Sequence, residues 1–339
     1  MTKLKILSTV GLKPEEIGKL EQIGGGAQVV DRRCRSQAEM IEAAADGCDV
    51  LFSFRAPDAL LKQCSNLRWI QFLSAGADHV MKGELKARPG ITITNASGIH
   101  STPIAEYTIA SMLAWSHGFH VTMRAQMRRE WKRNWDFMES VDSLCGKTLG
   151  VIGYGSIGRE TARIGQALGM TTLALKRNPD DHRDTGWNPA GVGDPEGKIP
   201  AHWYGPQDCK EILRASDFIT VTLPATPATS RFIGPEAIAV MRPHAYIVNI
   251  GRGDVIDQNA LIAALREKKI GGAGLDVFER EPLESESALW DLDNTILTPH
   301  MSGSFKGYNS ACCELFAENL GRFVAGNPLM NVVDRSLGY

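Results

Sequence analysis

The chain has 339 residues, 43% of them hydrophobic and 22% charged, with a formal net charge of −2. That length exceeds what one hydrophobic core usually serves, so two domains are expected. The near-neutral balance speaks against a nucleic-acid partner, no apolar stretch reaches the length of a membrane span, and the apolar start at 1–10 lacks the length and cleavage site of a signal peptide.

The first hundred residues alternate apolar runs at 4–10, 28–31, 49–54, 67–72 and 91–95 with helix-like stretches at 14–22, 36–45 and 57–63. Strands buried on both faces, joined by helices in βαβ fashion, have this pattern. A long helix is predicted from Thr102 to about Arg129, with Pro103 placed early, where helices accept it. Arg124, Arg128, Arg129, Lys132 and Arg133 then lie beside Trp131 and Trp135. Because the chain as a whole is not basic, this segment reads as a subunit contact rather than a phosphate- or membrane-binding surface. A second series of strands follows at 148–152, 171–175, 218–223, 245–250, 272–278 and 295–298, with helices at 157–168, 235–240 and 258–268 among them. The expectation is an α/β protein with two doubly wound domains. A last helix at 305–325 packs back on the first domain, which makes that domain discontinuous. Residues 178–207 break the rhythm with five prolines and five glycines. Such a loop is disordered or functional, and its place after the second strand of this series puts it beside the adenosine half of a dinucleotide. Seven cysteines, an odd number without a C-x-x-C pair, read as free thiols in a reducing compartment. The expectation is a cytoplasmic protein with no metal site.

The strongest local motif is Gly153-Tyr154-Gly155-Ser156-Ile157-Gly158. It follows an apolar strand and opens a helical run, the context that a dinucleotide-binding G-x-G-x-x-G requires. Gly153 permits the turn, Gly155 admits a pyrophosphate, Gly158 lets helix and strand pack closely, and the helix N-terminus faces the phosphates. The next strand normally ends on an acid that binds the ribose diol. Here it ends on Lys176-Arg177-Asn178, two cations that would attract a 2′-phosphate, so NADP is favoured over NAD. The plainer reading of these two is as solvated loop charges. Three further ionisable residues stand just past apolar strands: Arg252, Glu281 and His300. Each alone could be a surface or loop residue. Together, at the edge where open α/β sheets bind ligands, they form an acid–base and anion-binding set.

These motifs resemble those of the D-isomer-specific 2-hydroxyacid dehydrogenases, in their glyoxylate/hydroxypyruvate reductase-like form. The similarity runs from about Lys3 to about Asp334. Besides the glycine motif it rests on Asn95-Ala96-Ser97-Gly98, Pro103-Ile104-Ala105-Glu106-Tyr107, Leu223-Pro224-Ala225-Thr226-Pro227, Asn249-Ile250-Gly251-Arg252-Gly253, Asp276-Val277-Phe278, Glu281-Pro282 and Thr298-Pro299-His300 with Gly303. The resemblance implies two Rossmann-like domains with an active-site cleft between them. Residues 1–100 plus 299–339 would form a flavodoxin-like substrate-binding domain, and 101–298 the dinucleotide-binding domain. It implies interconversion of a small 2-keto acid and its D-2-hydroxy acid with NADP or NAD. Arg252 would grip the substrate carboxylate and polarise the carbonyl, His300 would carry the proton, and Glu281 would orient the imidazole. Backbone amides of Ala75, Gly76 and Ala77 would bind the carboxylate. The cofactor would meet Thr102, Ile104, Gly153, Tyr154, Gly155, Ser156, Ile157, Gly158, Lys176, Arg177, Leu223, Pro224, Thr229, Ile250, Gly251, Asp276 and Gly303, with Asp276 at the carboxamide. A homodimer is implied through the region of Arg124–Trp135.

The chain departs from the family pattern at Lys176, in the length of the 178–207 loop and in ending at Tyr339 without the regulatory domains common in the phosphoglycerate branch. Glu281 argues against the formate branch, where glutamine partners the histidine. One rival has a different function: a dehydrogenase-like nucleotide-sensing binding protein or corepressor with little turnover, since such proteins keep the same trio. The long disordered tails that would favour it are not visible in the sequence.

Overall fold

The computed structural model describes residues 3–76 and 83–335. In chain order the elements are β1 (Lys5–Ser8), α1 (Pro14–Ile23), β2 (Gln28–Asp31), α2 (Gln37–Ala43), β3 (Val50–Ser53), α3 (Asp58–Gln63), β4 (Trp69–Phe72), α4 (Gly83–Ala87) and β5 (Thr92–Thr94). There follow α5 (Ser101–Ser116), α6 (Phe119–Met127), α7 (Trp135–Ser140), β6 (Thr148–Ile152), α8 (Ser156–Ala167), β7 (Thr171–Leu175), β8 (His202–Tyr204), α9 (Cys209–Ala215) and β9 (Phe218–Val221). The chain ends with α10 (Pro235–Ile238), β10 (Tyr246–Asn249), α11 (Gln258–Arg266), β11 (Gly272–Leu275), β12 (Thr295–Leu297) and α12 (Tyr308–Val324).

These elements form two compact units. Unit 1 takes the chain up to Ile99, the segment Thr185–Pro189 and everything from Phe305 onward; unit 2 takes His100–Asp184 and Ala190–Ser304. Unit 1 holds a sheet in the order β2-β1-β3-β4-β5, and unit 2 one in the order β12-β11-β10-β9-β6-β7-β8. Every strand pair in both is parallel. Parallel sheets must be covered on both faces, which is why the central strands are unbroken apolar runs. In unit 1, one face packs Ile6, Phe52 and Trp69 against Phe316 and Leu320 of α12, and the other packs Leu51, Ile70 and Phe72 against the helices α2 to α4. Phe52 and Phe316 stack with ring centroids 4.5 Å apart. In unit 2, Ile219, Ile247 and Ala273 line one face, and Val151, Tyr246 and Val248 the other.

Two departures from the sequence reading have plain causes. The single helix expected from Thr102 to Arg129 is two: Gly118 adopts φ +66, outside the helical range, and starts α6 afresh. The 178–207 stretch, expected as one loop of the second domain, is divided. Its Trp187 is only 8% exposed and sits in the core of unit 1 with Ala96, Ile99 and Leu315. The indole N–H donates to Glu318 Oε2 at 3.1 Å, and the Trp187 amide donates to Asn331 Oδ1 at 3.0 Å. Gly98 makes room for it, because a β-carbon there would stand 1.8 Å from the Trp187 carbonyl oxygen.

The rest of that stretch is fastened to unit 2. Arg159 of α8, 1% exposed, donates to the backbone carbonyls of Asp194 and His182, faces Asp184 at 3.7 Å and lies over the Tyr154 ring. Asp194 in turn accepts from the Tyr154 hydroxyl at 2.9 Å and from the Lys198 and Ile199 amides. A buried guanidinium is tolerated only with partners of this kind; among the described residues its Nε makes no hydrogen bond and faces only the Asp184 carboxylate. The stretch ends in β8, a short strand that extends the sheet beside β7.

Candidate active site

The register of the second sheet sets the site. Leu297, Leu275, Asn249, Val221, Ile152 and Leu175 are lateral neighbours along the row β12-β11-β10-β9-β6-β7. The residues that follow them, Thr298, Asp276, Ile250, Thr222, Gly153 and Lys176, therefore leave the sheet along one carboxyl edge. Most candidate residues of unit 2 follow this row closely, whereas Thr102 and Ile104 come from α5.

At β6 the glycine motif turns as expected. Gly153 has φ +104, and a β-carbon on it would meet Thr222 Oγ1 at 2.7 Å. A β-carbon on Gly158 would stand 2.4 Å from the Gly153 carbonyl oxygen, so helix and strand could not pack with any side chain there. Gly155, at the N-cap of α8, faces the opposite situation: among the described residues nothing beyond its own chain neighbours lies within 4 Å of a β-carbon built on it. The first-turn amides of Ser156, Ile157 and Gly158 have no intrahelical acceptor by construction. An open glycine beside the positive end of a twelve-residue helix fits a pyrophosphate. Tyr154 does not contribute its side chain. That ring is buried under the 178–207 stretch, and its amide donates to Leu175 O. Lys176 is also spent locally: its ammonium donates to the Asp181 backbone and to Asp181 Oδ2 at 3.2 Å. Arg177, one residue on, is exposed.

At β9 and β10 the two exits interlock. A β-carbon on Gly251 would stand 2.6 Å from Leu223 O, so the loops at Leu223-Pro224 and Ile250-Gly251 are in backbone contact. The Thr229 hydroxyl donates to Pro224 O at 2.6 Å and closes the first of these loops on itself. Asn249, 2% exposed, clamps the second: its Oδ1 accepts from Gly251 N and its Nδ2 donates to Arg252 O. Arg252 Nη1 donates to Gly251 O at 2.8 Å, which fixes the base of the guanidinium. Gly253 then passes directly beneath the backbone of Phe278, where any side chain would clash at 1.9 Å. This crossing brings the Arg252 loop against the strand exit that carries Glu281.

Glu281 and His300 are paired. Glu281 Oε2 lies 2.7 Å from His300 Nδ1, and Oε1 accepts from Phe278 N at 3.1 Å. An ionised carboxylate only accepts, so Nδ1 carries a proton and Nε2 is the atom left for chemistry. The two side chains are 35% and 52% exposed. His300 adopts φ +50, rare for a residue with a β-carbon. Its amide donates to Asp276 O at 2.9 Å.

The Asp276 carboxylate, fully buried, accepts from Thr298 Oγ1 at 2.6 Å, Met301 N at 2.9 Å and Ser302 N at 2.9 Å. It thus organises the loop that carries His300, a role that sequence reasoning missed because two of its three donors are backbone amides. One lone-pair direction is left on it. The start of α5 reaches the same loop. A β-carbon on Gly303 would meet His100 at 3.1 Å and Ile104 at 3.6 Å, and Tyr107 Oη lies 2.6 Å from Thr298 Oγ1. Thr102 is half-buried on this same turn. Burial pushes the His100 imidazole down to about 4, so it is neutral at neutral pH.

Of the remaining candidates, Ala75 and Gly76 lie in unit 1 just past β4, where Ser74 Oγ donates to Gly76 O at 2.9 Å. Ala77 lies outside the described residues. Among the described residues no group of three or more metal-ligating side chains occurs, and no helix is long and apolar enough to cross a membrane.

Comparison with known proteins agrees with this geometry. The family model for the NAD-binding domain of D-isomer specific 2-hydroxyacid dehydrogenases matches residues 109–302. Glycerate dehydrogenase of Methylorubrum extorquens is 30% identical over 326 residues, covering 95% of this chain and 93% of that protein. Glyoxylate reductase of Aeropyrum pernix is 33% identical over 297 residues, 86% of this chain and 84% of that one. Among solved structures, the NADPH-dependent glyoxylate/hydroxypyruvate reductase of Sinorhizobium meliloti, in complex with NADP and sulfate, superposes with a TM-score of 0.76 at 25% identity. It covers 99% of this chain and 100% of that one.

Proposed function

This chain belongs to the D-isomer specific 2-hydroxyacid dehydrogenase family, and from that premise we propose that it reduces glyoxylate, hydroxypyruvate or a similarly small 2-keto acid, with NADP(H) favoured over NAD(H). It is an NAD(P)-dependent oxidoreductase of the CH–OH group, and the relatives named glycerate dehydrogenase and glyoxylate reductase support the choice of substrates. The observation that carries the reading is the 2.7 Å pair of Glu281 and His300 on the same sheet edge as the open Gly155 cradle.

A bound NADPH or NADH would supply the hydride. Gly155, Ser156, Ile157 and Gly158 would hold its pyrophosphate, and the remaining lone pair of Asp276 would accept from its carboxamide. His300 Nε2 gives its proton to the keto oxygen, and the Glu281 carboxylate holds Nδ1–H so that Nε2 alone faces the substrate. Arg252 takes the substrate carboxylate through the planar fork of its guanidinium. In oxidation the same groups act in reverse, with His300 as the base.

The NADP preference rests on what stands at the tip of β7. The strand ends on Lys176 and Arg177 in place of an acid that would bind the ribose diol; the Lys176 ammonium is paired with Asp181, so the preference is assigned to Arg177. One charge-assisted hydrogen bond contributes about 1.5–3 kcal/mol net, or roughly a tenfold preference or more. Arg177→Ala should therefore lower kcat/KM with NADPH about tenfold while leaving that with NADH nearly unchanged. A wild type that prefers NADH, or a mutant with the same cofactor ratio, contradicts the assignment.

A homodimer and a cytoplasmic location complete the proposal. Phe119, Met123, Met127, Trp131 and Trp135 form an exposed apolar stripe over α6 and the start of α7, with Met127 at 87% and Trp131 at 90% exposure. Large apolar side chains exposed at this spacing support a subunit contact there. All seven cysteines are unbridged, which suits a reducing compartment.

A further inference from the structure

Tyr107 reaches the site from a distance in sequence. It lies on α5, three residues after Ile104, and its hydroxyl stands 2.6 Å from Thr298 Oγ1. Thr298 Oγ1 is also 2.6 Å from Asp276 Oδ1. The directions of both bonds follow from the acceptor at the end. An ionised carboxylate cannot donate, so the Thr298 hydroxyl gives its single proton to Asp276. The Thr298 oxygen is then left as an acceptor, and Tyr107 must be its donor. The result is a directed chain, Tyr107 to Thr298 to Asp276.

This chain ends on the group that shapes the His300 loop. Asp276 holds Met301 N and Ser302 N through its carboxylate and His300 N through its backbone carbonyl. His300 is kept at φ +50, a conformation that persists only when the surroundings over-determine it. We propose that Tyr107 is a positioning residue for the proton donor His300, acting through the hydroxyl of Thr298 and the carboxylate of Asp276. It touches no reacting atom. Its hydroxyl keeps the Thr298 proton aimed at Asp276, and so keeps the loop 298–302 closed around that carboxylate. Burial holds the Tyr107 hydroxyl protonated by pushing it up to about 12, so it stays a donor throughout the working range. The inference rests on the reductase reading for its kinetic consequences but not for its structural one.

The test uses Tyr107→Phe in the full chain, a change that removes one oxygen and keeps the ring. Loss of one buried hydrogen bond corresponds to about a fivefold to tenfold effect. Hydrogen exchange of the Met301 and Ser302 amides should quicken by about that factor, while amides of β6 and β10 keep their protection. This measurement needs no turnover. With a 2-keto acid that the wild type reduces, kcat should fall about fivefold to tenfold, with the KM and the dinucleotide Kd within about twofold. The isotope effect with nicotinamide deuterated at C4 should also change, because the chemical step is the one slowed. A variant that only folds less completely would lose active fraction at an unchanged isotope effect. Thr298→Ser keeps the hydroxyl and should behave as wild type; Thr298→Val, which loses both bonds, should fall at least as far as Tyr107→Phe, and adding Tyr107→Phe to it should make it no worse. Unchanged exchange at Met301 and Ser302 in Tyr107→Phe, or independent effects of the two residues, overturns the proposal. A wild type that turns over no 2-keto acid overturns the functional reading instead, and the exchange measurement still decides the role of Tyr107.

Discussion

Trp187 offers a sharp test of how the 178–207 stretch is held. Truncation to alanine removes a side chain that is 8% exposed and packed among Ala96, Ile99 and Leu315 in unit 1. A tryptophan buries about 150–250 Å², which at about 25 cal/mol per Å² is an upper limit of roughly 4–6 kcal/mol. Measured truncations of buried aromatics cost about 3–5 kcal/mol. The lost bond to Glu318 adds little, because that carboxylate is 46% exposed and keeps Arg322 at 3.3 Å. A local cost of about 3 kcal/mol is therefore expected, which corresponds to roughly a hundredfold rise in the opening equilibrium of Thr185–Pro189. The fastenings in unit 2, Arg159 with Asp184 and Tyr154 with Asp194, are untouched. Limited thermolysin digestion, with the sites identified by mass spectrometry, reads this directly. Cleavage should appear between Thr185 and Pro189 in the variant and remain slow around Asp194. Equal cleavage rates in wild type and variant, within about twofold, would refute the reasoning.

Arg252→Lys keeps the charge but loses the planar fork and the bond to Gly251 O, so KM for the 2-keto acid should rise and kcat should fall together; steady-state kinetics with neither change would make Arg252 structural. His100 gives a pH prediction. Its folded-state value, about 4, lies below the ordinary 6.5, so the unfolded chain binds the extra proton between these two values and stability falls as pH is lowered through that window. The loss amounts to about 2–3 kcal/mol by pH 4.5. In His100→Asn this part of the pH dependence should vanish, and identical denaturation midpoints against pH in both proteins would count against it.

The sheet edge was legible because a parallel strand buried on both faces reads as an apolar run that stops where the strand leaves the sheet. Arg252, Glu281 and His300 each stand just beyond such a stop, as does Gly153. The two sheets and the return of the last helix to unit 1 followed from the same runs. What stayed hidden depends on contacts between residues far apart in the chain. Nothing near Trp187 in sequence indicates that its ring is covered by α12, more than a hundred residues later. β8 is three residues with one exposed edge, too short to show a period. Tyr154 sits inside a cofactor motif, yet its ring serves Arg159 and Asp194. Lys176 looked like a phosphate ligand by position, but a nearby Asp181 takes its charge. Asp276 was read as a cofactor contact, and its three internal donors became visible only when Thr298, Met301 and Ser302 were seen to fold around it.

The central claim is that His300 is the proton donor of a 2-keto acid reductase. It is tested most directly by following NADPH oxidation with glyoxylate and hydroxypyruvate in wild type and in His300→Ala, alongside the NADPH dissociation constant of each. Turnover by the wild type, a fall in kcat of about 10²–10⁴ in the variant and a dissociation constant within about twofold are predicted. Near wild-type turnover in His300→Ala at neutral pH would contradict the account.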